Sequence, residues 1–142
     1  MKKVSKIFII NSENNFLMYL RDKDSKIPYP DYWDFIGGEI EKNESKEDAI
    51  KREIMEEIGI NVNNIRYIGE QYVPQNFLNP LENIVYFFKG EVTERIEYIK
   101  LTEGQRLEYF NLNELQKIRL AKPFKDFILK NKQKILKKQQ SL

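Results

Sequence analysis

One segment, from Ser45 to Gly59, constrains the fold of this chain more than any other. Isoleucine recurs every fourth residue, at Ile50, Ile54 and Ile58, which is the spacing of one face of an α-helix. Ser45 is a favourable N-cap, and a glycine is the common residue just after a helix. The segment is therefore predicted to form an amphipathic helix whose isoleucines pack on a core.

The segments on both sides of this helix have the apolar patterns of β-strands. The strand-like segments are KVSKIFIINS, FLMYLRD and WDFIGG before the helix, and IRYIGEQYVP, NIVYFFKGEVT and RLEYFNL after it. A short helix, NLNELQKI, and a terminal helix at about residues 122–139 are predicted to follow. This order indicates an α/β protein of the α+β type, in which helices pack on a mixed sheet. Residues 1–142 are expected to form a single domain.

The composition excludes several kinds of chemistry, because the chain has no cysteine and no histidine. Disulfides, thiolate nucleophiles, Ser-His-Asp triads and the usual zinc sites are all ruled out. Any reaction must use carboxylates, lysines, arginines, tyrosines or backbone groups. A bound metal would have to be a hard cation with oxygen ligands.

The overall charge gives no strong signal for nucleic acid or for a membrane surface. The net charge is +2, and the basic excess lies mainly in the final segment, LKNKQKILKKQQSL, which is interpreted as a solvated helix. No apolar run reaches the about 18 residues expected of a transmembrane helix. The expected location is the cytoplasm, and the expected state is a monomer or a homodimer.

Negative charge is concentrated around the predicted helix, with eight acidic residues between Gly37 and Ile60. On the helix, Glu53, Glu56 and Glu57 share a sector of about 100°. Like charges at this spacing, near the C-terminal end of a helix, are destabilising. A divalent cation would remove the conflict. The alternative is a solvated acidic face balanced by neighbouring lysine and arginine side chains.

The residues around this cluster resemble the Nudix box at each of its fixed positions. These positions are Gly38, Glu44, Arg52, Glu53, Ile54, Glu56, Glu57, Gly59 and Ile60. The preceding WDFIGG is similar to the family's aromatic-X-Phe-Pro-Gly-Gly segment, with Ile36 in place of the proline. The resemblance implies the Nudix fold, an α/β/α sandwich with a mixed sheet between helices. It also implies hydrolysis of a nucleoside diphosphate linked to another group, with Mg²⁺ or Mn²⁺ as cofactor.

The resemblance assigns roles to individual residues. The implied metal ligands are the Gly37 carbonyl and four glutamates, Glu44, Glu53, Glu56 and Glu57. Arg52 is expected to hold a glutamate in place, and its alternative is a surface ion pair. The general base is either Glu103, in a segment that resembles MutT-type members, or one of the box glutamates. Otherwise Glu103 is an ordinary loop residue.

Substrate contacts are expected from the segments before and after the box. The predicted contacts are Arg21, Tyr32, Phe35, Gly38 and Tyr72. Arg21 resembles a phosphate-contacting arginine of the MutT-type subgroup, and its alternative is a solvated charge at a strand end. Aromatic side chains in such a domain are otherwise core residues.

A nucleoside triphosphate is the expected substrate, as in pyrophosphohydrolases that remove damaged nucleotides. The asparagine with which MutT-type members read the base has no counterpart, since Ala121 and Lys122 stand in that region. This argues against oxidised guanine in particular. The alternatives are ADP-ribose or another nucleotide sugar, the 5′ end of RNA, and a regulator that binds nucleotide without turnover.

Overall fold

The computed structural model describes residues 1–138. The strands are β1 (Lys2–Ile10), β2 (Phe16–Leu20), β3 (Trp33–Asp34), β4 (Ile36–Glu39), β5 (Asn63–Val73), β6 (Asn83–Glu91) and β7 (Arg106–Phe110). The α-helices are α1 (Lys46–Glu57), α2 (Leu112–Leu115) and α3 (Lys122–Ile135), and a 3-10 turn covers Ile96–Tyr98.

Helix α1 forms where the isoleucine spacing predicts it. The Ser45 hydroxyl accepts the Asp48 N–H over 3.0 Å and caps the first turn. At the other end, the Gly59 N–H donates to the Ile54 carbonyl over 3.0 Å. Ile50, Ile54 and Ile58 are buried against the sheet, and each contributes roughly 1.5–3 kcal/mol through the apolar surface that it removes from water.

The seven strands form one sheet that forks beside its central strand, β1. Along one edge β1 pairs with β6 in parallel. Along the other edge its last two residues pair with β2, and its residues Val4–Ile7 pair with β4. Strand β2 continues to β3 and β7. Phe35 therefore joins a strand on one branch of the fork to a strand on the other.

Helices cover both faces of this sheet. Helix α1 packs on a cluster that includes Ile7, Ile9 and Leu17. Helix α3 packs on the other face, against a cluster rich in phenylalanine, including Phe8 and Phe87. The predicted α/β/α sandwich is confirmed.

Three local predictions differ from the structure. The segment WDFIGG forms two strands, β3 and β4, because it crosses the fork. The helix predicted in NLNELQKI is a single turn, with Asn111 and Glu114 forming a capping box.

The terminal helix ends at Ile135 rather than at about residue 139, because Leu136 has extended backbone angles. Residue 139 lies outside the described residues. No helix among residues 1–138 is both long enough and apolar enough to cross a membrane.

Candidate active site

A pocket of about 450 Å³ opens at the fork of the sheet, and its two ends differ in chemistry. The acidic end is lined by Gly37, Gly38, Glu53, Glu56, Glu57 and Glu103. The apolar end is lined by Tyr29, Tyr32, Trp33, Val73, Leu81 and Phe124. The pocket thus joins a site for charged, metal-binding groups to a site for a flat apolar group.

Glu57 is the most buried carboxylate of the acidic end, with 6% of its surface exposed. Its Oε2 accepts the Gly37 N–H over 3.1 Å, so the last turn of α1 is joined to β4. Burial raises the pKa of Glu57 to about 7, while Lys6 and the Gly37 N–H act in the opposite direction. A cation at this carboxylate would offset the cost of burying its charge.

The two glycines of β4 leave room that a side chain would fill. A Cβ at Gly38 would lie 2.5 Å from Glu53 Oε1. A Cβ at Gly37 would overlap the Ser5 carbonyl oxygen, and its φ of +147° is unfavourable for other residues. The glycine pair therefore lets the carboxylates of α1 approach the β4 backbone closely.

Arg52 holds three of the box glutamates. Its Nε and NH2 bind Glu44 over 2.8 and 2.9 Å, and its NH1 binds Glu53 over 2.9 Å and Glu56 over 3.2 Å. The hydrogen bonds from Arg52 lower the pKa of Glu44 to about 2. Glu44 lies on Arg52 rather than among the pocket residues.

The acidic end suits a hard cation in its chemistry, although the carboxylates are not yet assembled around one point. Within residues 1–138, no three acidic side chains converge closely enough to hold an ion. All the groups available at this end are oxygen donors, as Mg²⁺ and Mn²⁺ require. Arg52 binds Glu53 through Oε1 and Glu56 through Oε2, so a metal would bind the other oxygen of each carboxylate. The residues present fit a divalent cation on these terms.

Glu103 enters the pocket on a loop that is fixed on both sides. Thr102 donates its N–H to the Glu57 carbonyl over 3.0 Å and its hydroxyl to the Glu56 carbonyl over 2.9 Å. After Gly104, the Gln105 N–H donates to the Leu20 carbonyl over 2.8 Å. A carboxylate from a separate loop therefore faces the same space as the box glutamates.

A buried charged group in the middle of the pocket was not predicted from the sequence. Lys6 Nζ donates to Asp34 Oδ2 over 2.9 Å and to the Phe35 carbonyl over 3.2 Å. Arg21 NH1 donates to the same Oδ2 over 3.1 Å. Lys6 lies on the same side of β1 as Phe8, which is in the core, and Val4, which packs against the core. A lysine within that apolar series is the signal that could have identified it.

Two segments, residues 22–32 and 74–82, form the mouth of the apolar end and contact each other. The Tyr29 N–H donates to the Leu78 carbonyl over 3.0 Å, and Asn76 Nδ2 donates to the Tyr29 hydroxyl over 3.0 Å. Phe77 is 96% exposed beside this contact.

The structure brings some of the predicted substrate contacts to the pocket and leaves others out. Arg21, Tyr32 and Gly38 line it. Phe35 does not, because its ring is fully buried in the core against α3. Tyr72 does not either: its neighbour Val73 faces the pocket, whereas the Tyr72 hydroxyl binds Glu82 on an exposed surface.

Known proteins resemble this chain in sequence and in fold. The protein-family model for the NUDIX domain matches residues 2–130. The RNA pyrophosphohydrolase of Sulfurovum sp. (strain NBC37-1) is 36% identical over 73 residues, covering 50% of this chain and 45% of that protein. The matched segment thus spans less than half of the Sulfurovum protein.

Two further proteins match this chain over more of their own length. The 8-oxo-dGTP diphosphatase of Proteus vulgaris is 31% identical over 91 residues, covering 61% of this chain and 78% of that protein. The crystal structure of the MutT protein from Methanosarcina mazei Go1 has a TM-score of 0.79 at 22% identity, with 94% of each chain covered. At this identity the likeness concerns the fold.

Proposed function

Because this chain belongs to the Nudix family of hydrolases, we propose that it cleaves a nucleoside triphosphate into a nucleoside monophosphate and diphosphate. The observation that carries the proposal is the two-ended pocket. Its acidic end suits the metal ions that neutralise phosphates, and its apolar end suits a nucleobase. A substrate of this class carries both chemistries in one molecule.

The residues of the acidic end would share the work in the following way. A bound Mg²⁺ or Mn²⁺ would neutralise phosphate charge and favour attack by water on phosphorus. Glu53, Glu56 and Glu57, with the Gly37 carbonyl, would hold the cation, and Arg52 restrains Glu53 and Glu56 through its hydrogen bonds. The Glu103 carboxylate takes the proton from the attacking water, and Arg21 contacts a phosphate.

Support for a triphosphate comes from the Proteus relative, whose name gives 8-oxo-dGTP as its substrate. The residues at the apolar end of the pocket argue for a base other than oxidised guanine. Ala121, at the start of α3, lines the pocket, and Lys122 points to solvent and pairs with Asp126 over 2.8 Å. No side-chain amide is present at that position to read an oxidised guanine.

The 5′ end of RNA is a second candidate, favoured by the name of the Sulfurovum relative. It offers the same triphosphate to the acidic end. An RNA substrate would also need a basic path along the protein surface. The basic excess of the chain lies mainly in residues 129–142, which are only partly within the described residues.

A phosphate-release screen with Mg²⁺ and with Mn²⁺ tests the proposal. The substrates are the nucleoside triphosphates, ADP-ribose, a dinucleoside polyphosphate and a 5′-triphosphate RNA. We expect monophosphate and diphosphate from at least one triphosphate, and loss of the activity in EDTA. If the protein hydrolyses only ADP-ribose or only the RNA, that compound replaces the nucleoside triphosphate as the substrate.

The Glu57→Gln variant is the inactive control for this screen. Its amide oxygen can still accept the Gly37 N–H, so the fold should survive while hydrolysis falls by orders of magnitude. The control is Glu47→Gln, an exposed glutamate at the other end of α1. Equal activity in both variants would contradict the assigned role of Glu57.

A further inference from the structure

Lys6 has an unusual position for a lysine, because it lies in the sheet with only 7% of its surface exposed. Burying two opposite charges is costly, and an apolar pair of similar size is often as stable or more stable. Packing stability alone therefore gives little reason for Lys6 and Asp34 to be where they are. Both side chains line the pocket.

The partners of Asp34 do not require Lys6. Asp34 Oδ1 accepts the Phe35 N–H over 2.7 Å. Its Oδ2 accepts from Arg21 NH1 over 3.1 Å as well as from Lys6. Two cations thus share one carboxylate, so Asp34 does not by itself neutralise both.

The Lys6 ammonium also has an unused donor. Within residues 1–138 its acceptors are Asp34 Oδ2 and the Phe35 carbonyl, whereas an ammonium has three N–H bonds. A buried donor without a partner is costly. The remaining N–H is therefore set to bind an acceptor that enters the pocket.

The strand register locates this donor beside the acidic end. Lys6 lies opposite Gly37 in the β1–β4 ladder. The Gly37 N–H holds the Glu57 carboxylate, so Lys6 is one cross-strand neighbour away from the anchor of the acidic end. The phosphates of a substrate must lie there if the carboxylates hold their metal.

We propose that Lys6 is a substrate-binding residue, whose remaining N–H donates to a non-bridging phosphate oxygen of the bound nucleotide. This inference rests on the proposed function for the identity of the ligand. It adds a contact that comes from β1, outside the Nudix box and its neighbouring loops. A charge-assisted hydrogen bond of this kind corresponds to a change of roughly 10- to 100-fold in affinity.

The contact is tested by measuring, with calorimetry in the presence of Mg²⁺, the affinity of the wild type and of Lys6→Met for three probes. The probes are an α,β-methylene analogue of dGTP, inorganic diphosphate and deoxyguanosine. Lys3→Met is the matched control, since Lys3 lies on the same strand but is exposed and outside the pocket. We expect Lys6→Met to weaken the two phosphate-bearing probes by about 10- to 100-fold and to leave deoxyguanosine unchanged.

Other outcomes overturn the inference. Equal weakening of deoxyguanosine would move the contact to the base. Unchanged binding of the dGTP analogue, or an equal effect in Lys3→Met, would leave Lys6 with a structural role alone. Wild-type protein that binds none of the phosphate-bearing probes would also reject the contact. If the wild type binds the phosphate-bearing probes but hydrolyses no nucleoside triphosphate in the phosphate-release screen, the proposed function is rejected while Lys6 remains a phosphate contact.

Folding and kinetics complete the test. If Lys6→Met unfolds, the double variant Lys6→Met/Asp34→Asn, which removes both charges of the pair, takes its place in the same comparison. For the hydrolysed triphosphate, Lys6→Met should raise KM by a similar factor and lower kcat much less. A drop in kcat at constant KM would contradict a ground-state phosphate contact.

Discussion

Thr102 donates its backbone N–H to the carbonyl oxygen of Glu57, and this bond of 3.0 Å ties the Glu103 loop to the last turn of α1. The C-terminal carbonyls of a helix have no partner within the helix, so Thr102 supplies donors that α1 needs. The carboxylate proposed as the base and those proposed to hold the metal are thereby placed relative to each other.

Replacing Thr102 by valine should disturb this placement without changing the side-chain size. The hydroxyl bond to the Glu56 carbonyl is lost, and such a bond contributes about 1 kcal/mol. We expect kcat to fall several-fold in steady-state assays, while Thr102→Ser, which retains the hydroxyl, stays near the wild type. Equal rates for the valine and serine variants would show that the backbone bond is sufficient.

Glu103→Gln should lower kcat by about 10²–10⁴-fold, the range for loss of a general base. Binding of nucleotide and of metal should change much less, as measured by calorimetry with a non-hydrolysable analogue. The exposed Glu97→Gln serves as the control. A near-normal kcat would move the base to Glu53, and loss of metal binding would make Glu103 a ligand.

Without metal, the free energy of unfolding should fall as pH rises from about 4.5 to about 7. Burial raises the pKa of Glu57 from its usual 4.5 to about 7 in the folded chain, so the folded state holds more protons in this window. The loss attributable to Glu57 is on the order of 3 kcal/mol. Chemical denaturation in EDTA should show this loss in the wild type.

Two comparisons isolate the contribution of Glu57 to that pH dependence. Glu57→Gln should lack it, whereas Glu47→Gln should retain it. Above pH 7, added Mg²⁺ should stabilise the wild type more than Glu57→Gln, since a bound cation favours the charged carboxylate. Identical pH profiles for the wild type and Glu57→Gln would refute the assignment.

Gly38→Ala should reduce activity while leaving the fold intact. Its new methyl group would lie 2.5 Å from Glu53 Oε1, and a flexible carboxylate can move away. Misplacing a catalytic group by about 1 Å costs up to roughly 10²-fold in rate. Gly69→Ala is the control, because its Cβ would meet Phe127 at an ordinary 3.5 Å. Equal kcat values in the two variants would contradict the prediction.

The helix and the acidic end could be predicted from sequence because local patterns determine them. The isoleucine period, the Ser45 cap and the spacing of Glu53, Glu56 and Glu57 lie within a few helical turns. Helix α1 therefore forms where predicted, with those side chains beside the pocket.

The partners of these groups could not be predicted in the same way, because they come from distant parts of the chain. Lys6 meets Asp34 across 28 positions of sequence, and the contact depends on where β1 leaves β2. Likewise, Phe35 and Tyr72 are aromatic in sequence, but the fork and the strand parity direct one ring into the core and the other to solvent.

The two segments at the mouth of the pocket depend on each other. Residues 22–32 and 74–82 are bonded to each other through Tyr29, Leu78 and Asn76, whereas the acidic end is bonded to α1 and β4. Exchange of one mouth segment alone breaks these mutual bonds, but exchange of both together retains them. The two segments therefore form a natural unit for transplanting base preference between related chains, provided that Asp31, which accepts a hydrogen bond from Gln105 beside Glu103, is retained.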